Sequence, residues 1–172
     1  MKKIGGKKPL SFAGIFALVA VVEYLAFFQF APEFLTTGLI ELTAKILHFA
    51  LRLTGAQVTI SAETLTFPAM QLVIVYECTG GFAMFIFSAC VISYPSSLKS
   101  KLWGHLFGIG GIFIINMARL LALSWAALHA RGLFDFIHKY LWQSMFILFV
   151  LGIWFVWVNR FTGEGKKVNG TA

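Results

Sequence analysis

Long apolar runs alternate with short polar breaks along this chain, and the breaks set the number of helices. Residues 10–30 form a first run, interrupted by Glu23, whose carboxylate must face protein or water or be protonated. At about 21 residues this run is long enough to span a bilayer. Residues 79–94 give a second run, short at roughly 24 Å of helix and closed by Pro95. A third begins near Leu102 and runs through at least Ile115, and a fourth covers residues 140–158. The stretch between the first two runs has a different rhythm. Over residues 33–53, Glu41, Lys45, His48 and Arg52 fall on one helical stripe, with Leu39, Leu42, Ile46, Phe49 and Leu53 on the other face. Glu41 and Lys45 are spaced to pair, and such a helix suits the outer interface better than the bilayer interior. After Gly55 the pattern becomes alternation through Val58, Ile60, Leu65, Phe67, Met70, Leu72, Ile74 and Tyr76, which predicts a small β element turning near residues 61–63. The expected class is an all-α polytopic membrane protein of about four transmembrane helices, with an exterior amphipathic helix and a small β element.

Composition supports a membrane class. Of 172 residues, 59% are hydrophobic and only 12% are charged, too apolar for an ordinary soluble domain. The net charge of +7 does not indicate a nucleic-acid partner, because the lysines flank apolar runs and no aromatic-interleaved basic surface is present. The partner this distribution indicates is the lipid bilayer. Lys2, Lys3, Lys7, Lys8, Lys99, Lys101, Arg160, Lys166 and Lys167 fall on one side of a four-span arrangement, and Lys45, Arg52, Arg119, Arg131 and Lys139 on the other. The positive-inside rule then places both termini in the cytoplasm of a cell bounded by this inner membrane. Residues 32–77 and roughly 119–138 face outward. The expected organisation is a basic cytoplasmic segment over 1–9, one membrane-embedded domain over 10–159 and a basic cytoplasmic tail over 160–172. The first apolar run exceeds the usual h-region of a leader, and Ala31-Pro32-Glu33 makes a poor cleavage site, so that run reads as a retained span.

The two cysteines, Cys78 and Cys90, lie on one predicted helix about 18 Å apart, too far for a disulfide. No CxxC or His/Cys spacing suits zinc, and no metal or organic cofactor is implied. Cys90 reads as a small packing residue. Cys78 differs, because it stands in Tyr-Glu-Cys-Thr-Gly-Gly where an extended segment meets a helix. A thiol at a helix N-terminus meets the positive end of the dipole, which favours the thiolate. Arg119, in Asn116-Met117-Ala118-Arg119, reaches the same outer face, where it serves either as an interfacial anchor or as a fixed cation for a developing oxyanion. Asn116 shares its helix face and is placed to orient Arg119 or bind substrate backbone. His138, at the start of the last span, supplies an imidazole for proton transfer near neutral pH. His129 is its direct competitor, Asp135 is a candidate to orient an imidazole, and His48 and His105 are poorly placed for the same task. A thiol, a cation and an imidazole on one membrane face indicate a membrane-embedded cysteine transpeptidase or protease.

At these residues the chain resembles the exosortase/archaeosortase family. The resemblance rests on Cys78-Thr79-Gly80 after an extended segment, on Asn116-x-x-Arg119 near the outer end of a later span, and on His138 before the next. It covers residues 55–158, and the small size resembles compact members such as exosortase H. It implies Cys78 as nucleophile, His138 as acid and base, and Arg119 stabilising the tetrahedral intermediate, with Asn116, Thr79 and Gly80 in support. It also implies partners: exported proteins whose C-terminal tail carries a short motif, a transmembrane helix and a basic end. Such an enzyme cleaves the tail through a thioester and passes the acyl group to water or an acceptor. The oligomeric state is open. Two rival readings have different chemistry. One is a non-enzymatic membrane scaffold or transporter subunit in which Arg119 and Glu23 are paired charges, and the other is a cysteine-dependent lipid or acyl transferase.

Overall fold

The computed structural model describes residues 8–30, 33–130, 132 and 142–162. Helix α1 spans Lys8–Leu25 and ends in a wider π turn over Ala26–Phe30, which matches the first expected run. Helix α2, Glu33–Leu53, leads into strands β1 (Thr59–Ser61), β2 (Thr64–Phe67) and β3 (Met70–Val73). A single turn of tighter helix, Tyr76–Thr79, precedes α3 (Gly81–Ser93), and α4 (Leu98–His129) and α5 (Trp142–Phe161) follow. By length and composition, two described helices, Glu33–Leu53 and Leu98–His129, are apolar and long enough to cross a membrane. Three shorter apolar helices accompany them, over Ser11–Leu25, Gly81–Ser93 and Met145–Phe161.

The expected β element is an antiparallel meander of order β1-β2-β3. Ile60, Leu65 and Leu72 stand opposite one another across its strands, so the period-2 alternation puts one apolar row on one face. That face closes over α2. Leu65, Phe67, Val58 and Ile74 are buried against Ala44, Leu47 and Leu51 of α2 and Leu120 of α4. His48 fixes the join by donating through Nε2 to the Val58 carbonyl at 3.2 Å. The predicted Glu41–Lys45 pair forms at 2.9 Å on the exposed stripe. The apolar face of α2 does not pack inward: Leu42, Phe49 and Leu53 are exposed.

Two breaks in the helices have clear local causes. Pro95 forces Tyr94 into an extended conformation, so α3 ends at Ser93. Ser97 then accepts from the Ser100 amide at 3.2 Å and starts α4. At 13 residues α3 is only about 20 Å long, and its start is Gly81 rather than the expected Thr79. Helix α4 departs from expectation in the other direction. It continues for ten residues past Arg119, where Leu120, Leu121 and Leu128 carry its packing against α2 and the sheet. Ser100, Gly104, Gly108, Ile112, Asn116, Leu120 and Ser124 form that stripe at intervals of four, all buried. Its first half serves a second core with Phe87 and Val91 of α3 and Trp157 of α5, and Trp157 donates to the Ser100 carbonyl at 2.9 Å.

Gly104 and Gly108 make this approach possible. A Cβ at Gly104 would stand 2.5 Å from Trp157 Nε1, and one at Gly108 would overlap the Phe87 ring. Small residues at such a four-residue spacing let helices pack closely where no hydrophobic force drives them together. Gly108→Ala is therefore expected to destabilise the bundle by about 1–3 kcal/mol. Gly110→Ala, with no atom within 4 Å of its Cβ position, should be neutral or slightly stabilising. Reversible unfolding of both variants in detergent micelles measures the difference.

Candidate active site

Val75 is extended, and the chain then winds through Tyr76–Thr79, where the Cys78 amide donates to the Val75 carbonyl at 2.9 Å. Thr79, fully buried, locks the turn from within. Its hydroxyl donates to the Tyr76 carbonyl at 2.7 Å and accepts from the Gly81 amide at 3.1 Å, satisfying a first amide of α3. Gly80 then reverses the chain at φ +77°, a left-handed conformation that side chains resist. A Cβ there would also crowd Asn116 Cγ at 3.2 Å. The Tyr76 hydroxyl leaves no room for a Cβ at Gly81, which would approach it to 2.6 Å. The two glycines are thus steric requirements of this turn, and Thr79 is held in it by its hydrogen bonds. Burial, and then the neighbouring Glu77 charge, push the Tyr76 hydroxyl above its ordinary pKa, so it remains protonated.

Helix α4 brings polar groups to that turn. Asn116, fully buried, donates through Nδ2 to the Cys78 carbonyl at 2.8 Å. Arg119, one turn on, places Nη2 3.5 Å from the same oxygen, a long contact that engages the donor only weakly. The guanidinium lies over the Phe146 ring of α5, 5.4 Å from its centroid, and within electrostatic reach of the Cys78 thiol. Its Nε is buried and, among the described residues, has no hydrogen-bond partner; the same holds for Asn116 Oδ1. Cys78 itself is half-buried against the sheet core. A cation with uncommitted donors beside a thiol is suited to steadying negative charge on a carbonyl attacked there.

Compared with known proteins, the chain matches the family described as transmembrane exosortase (Exosortase_EpsH) over residues 9–157. The chain belongs to this family. The match runs from the start of α1 to Trp157 in α5 and so takes in the sheet, the Cys78 turn and the Asn116–Arg119 segment. Neither the curated proteins nor the solved structures compared with it gave a match. Exosortase membership points to a membrane protein-sorting transpeptidase.

In this exosortase, Cys78, Thr79, Gly80, Asn116 and Arg119 come together as their order in the sequence suggests. Asn116 differs in what it holds, because its amide binds the Cys78 carbonyl rather than Arg119. His138, Asp135 and Lys139 lie outside the described residues. The competitor His129 is exposed at the end of α4, stacked on Trp125 at 5.1 Å and donating to its carbonyl at 3.1 Å. Ten residues of helix, about 15 Å, separate it from Arg119. The Arg119–Glu23 pair of the scaffold reading is not formed. Glu23 is instead bonded by Ser88 at 2.7 Å, while Arg119 turns to Cys78 and Phe146. Sequence reasoning missed Phe146 beneath the guanidinium and Ser88 beside Glu23. The only signal for the latter was that an intramembrane carboxylate needs a partner.

Asn116→Ala removes the bond to a buried carbonyl. It should cost about 1–3 kcal/mol of stability and speed maleimide labelling of Cys78 while leaving that of Cys90 unchanged, as read by mass spectrometry of the labelled protein.

Proposed function

We propose that this exosortase is a membrane-embedded cysteine transpeptidase that cleaves C-terminal sorting tails of exported proteins through a Cys78 thioester. The observation that carries this reading is the convergence of Arg119 and Asn116 on the Cys78 turn. The Cys78 thiolate attacks the scissile carbonyl, and Arg119 takes up the charge that develops on its oxygen. His138 gives a proton to the departing amine as the C–N bond breaks, leaving the acyl group on sulfur as a thioester. Water or an acceptor nucleophile, losing its proton to His138, then takes the acyl group as the C–S bond breaks and restores the thiolate. Asn116 acts by positioning, since it holds the backbone from which the thiol projects.

The proposed arrangement has four spans, α1, α3, α4 and α5, with both termini cytoplasmic and the Cys78 turn on the outer face. The lysines beside the inner helix ends support it. Helix α2 meets the length test for a span, but its stripe of Glu41, Lys45, His48 and Arg52 and its packing on the sheet favour the outer interface.

The test co-expresses the protein with a tagged exported substrate bearing a motif, a transmembrane helix and a basic tail, and weighs the products. Wild type should remove the tail and Cys78→Ala should leave it intact. Arg119→Lys keeps the charge but loses the planar fork, and should slow processing by roughly 10²–10³-fold. His138→Ala should abolish processing where His129→Ala leaves it within about a factor of two of wild type. Equal processing by wild type and Cys78→Ala would sink the cysteine mechanism.

A further inference from the structure

Farther along the helices from the thiol, three polar side chains from three helices meet inside the bundle: Glu23 of α1, Ser88 of α3 and His105 of α4. Ser88 Oγ lies 2.7 Å from Glu23 Oε1 and 3.0 Å from His105 Nε2. On the far side of the ring, His105 Nδ1 lies 2.8 Å from the Lys101 carbonyl. A carbonyl only accepts, so Nδ1 carries a hydrogen. Both remaining contacts fall on one hydroxyl, which has a single hydrogen to give.

The count of hydrogens follows. If Ser88 donates to a Glu23 carboxylate, Nε2 must donate to Ser88, and His105 is an imidazolium. If Ser88 donates to Nε2, the carboxyl must donate to Ser88, and Glu23 is a neutral acid. Each arrangement contains one acidic proton and carries no net charge. Removing that proton sets the Nε2 lone pair against oxygen and leaves a negative charge among apolar side chains. Adding a second leaves a positive one. Both leave an uncompensated charge on a half-buried cluster set among apolar side chains, which is penalised.

We propose that Glu23, Ser88 and His105 form a proton-binding site within the bundle, sharing one proton between carboxyl and imidazole through the serine hydroxyl. In the exchange His105 Nε2 gives its proton to Ser88 Oγ while Ser88 gives its own to Glu23 Oε1. One N–H and one O–H bond break, two O–H bonds form, and no heavy atom need move. Groups facing the site from its surroundings are Cys90 on α3, in electrostatic range of Glu23, Tyr24 on α1, and Tyr76 at the Cys78 turn. Lys101, on α4, is turned away to the Ile92 carbonyl at 2.5 Å.

The site also borders a cleft. Glu23 Oε2 is buried with no hydrogen-bond partner among the described residues. Glu23 and Ser88 line a cleft of about 470 Å³ that Tyr76 and Gly81 also line. The proposal stands on hydrogen-bond geometry and does not depend on the cysteine mechanism.

The experiment uses the full chain in lipid nanodiscs, with ring-¹⁵N histidine for NMR and isotope-edited infrared for the glutamate carboxyl. His105→Gln and Glu23→Gln assign the signals. In wild type at neutral pH, the protonated fraction of Glu23 and the doubly protonated fraction of His105 should sum to unity. Glu23→Gln and His105→Gln should each change the hydrogen count on the group that remains. Ser88→Ala should break the complementarity. An ionised Glu23 beside a neutral His105, or both groups protonated together, overturns the proposal on wild type alone, even if a variant does not fold. A substitution at either end that leaves the other group's state unmoved overturns it as well.

Discussion

The hydrogen bond from Asn116 to the Cys78 carbonyl is the constraint on which the arrangement of this exosortase turns. It joins residues far apart in sequence across the interior, and both its ends are otherwise hard to satisfy. The carbonyl belongs to a short turn that offers it no helical partner, and the amide is fully buried. Leaving either orphaned costs about 1–3 kcal/mol. The bond thus ties the end of the β segment to the middle of α4, and it fixes where the thiol stands relative to Arg119. Gly80 is small for the same reason, since Asn116 occupies the space a side chain would need.

Asn116 also marks a boundary between two cores on one helix. Outward of it, α4 presents Leu120 to α2 and the sheet; inward, it presents Ile112, Gly108 and Gly104 to α3 and α5. The same stripe of buried positions runs through both. A continuous helix shared by two cores transmits position directly, so the outer layer cannot slide over the bundle without breaking one core or the other. The site lies at that seam, where neither apolar packing arrangement is complete and polar groups find room.

Much of this was legible in the chain. Alternation from Val58 to Tyr76 announced the meander, because a sheet with one covered face must repeat every two residues. The Glu41–Lys45 pair followed from helical spacing, and the grouping of Cys78, Thr79, Gly80, Asn116 and Arg119 followed from the order of the helices. Other features depended on contacts across the fold. The extension of α4 to His129 was hidden by Arg119, whose charge reads as a helix leaving the membrane; Phe146 and Cys78 give that charge a place inside. His105 read as poorly placed for the acid–base role, and its meeting with Ser88 and Glu23 stayed hidden because they come from other helices. No local period records such a meeting. The start of α3 moved from Thr79 to Gly81 because the left-handed Gly80 interrupts the helix, and residue identity alone does not say which glycine takes that role.

The brevity of α3 has a consequence for the membrane itself. Its 13 residues give about 20 Å of helix, against a hydrocarbon layer of about 30 Å. In the proposed four-span arrangement, a bilayer meeting so short a wall must thin beside it, or leave the Cys78 turn sunk in a dimple below the surrounding surface. In either case the nucleophile of the proposed mechanism would stand at a depth where peptide bonds of a membrane-crossing segment are ordinarily shielded from water. Bilayer thickness then becomes part of the geometry of the site, and the same protein would meet a given chain at a different register in a thicker membrane.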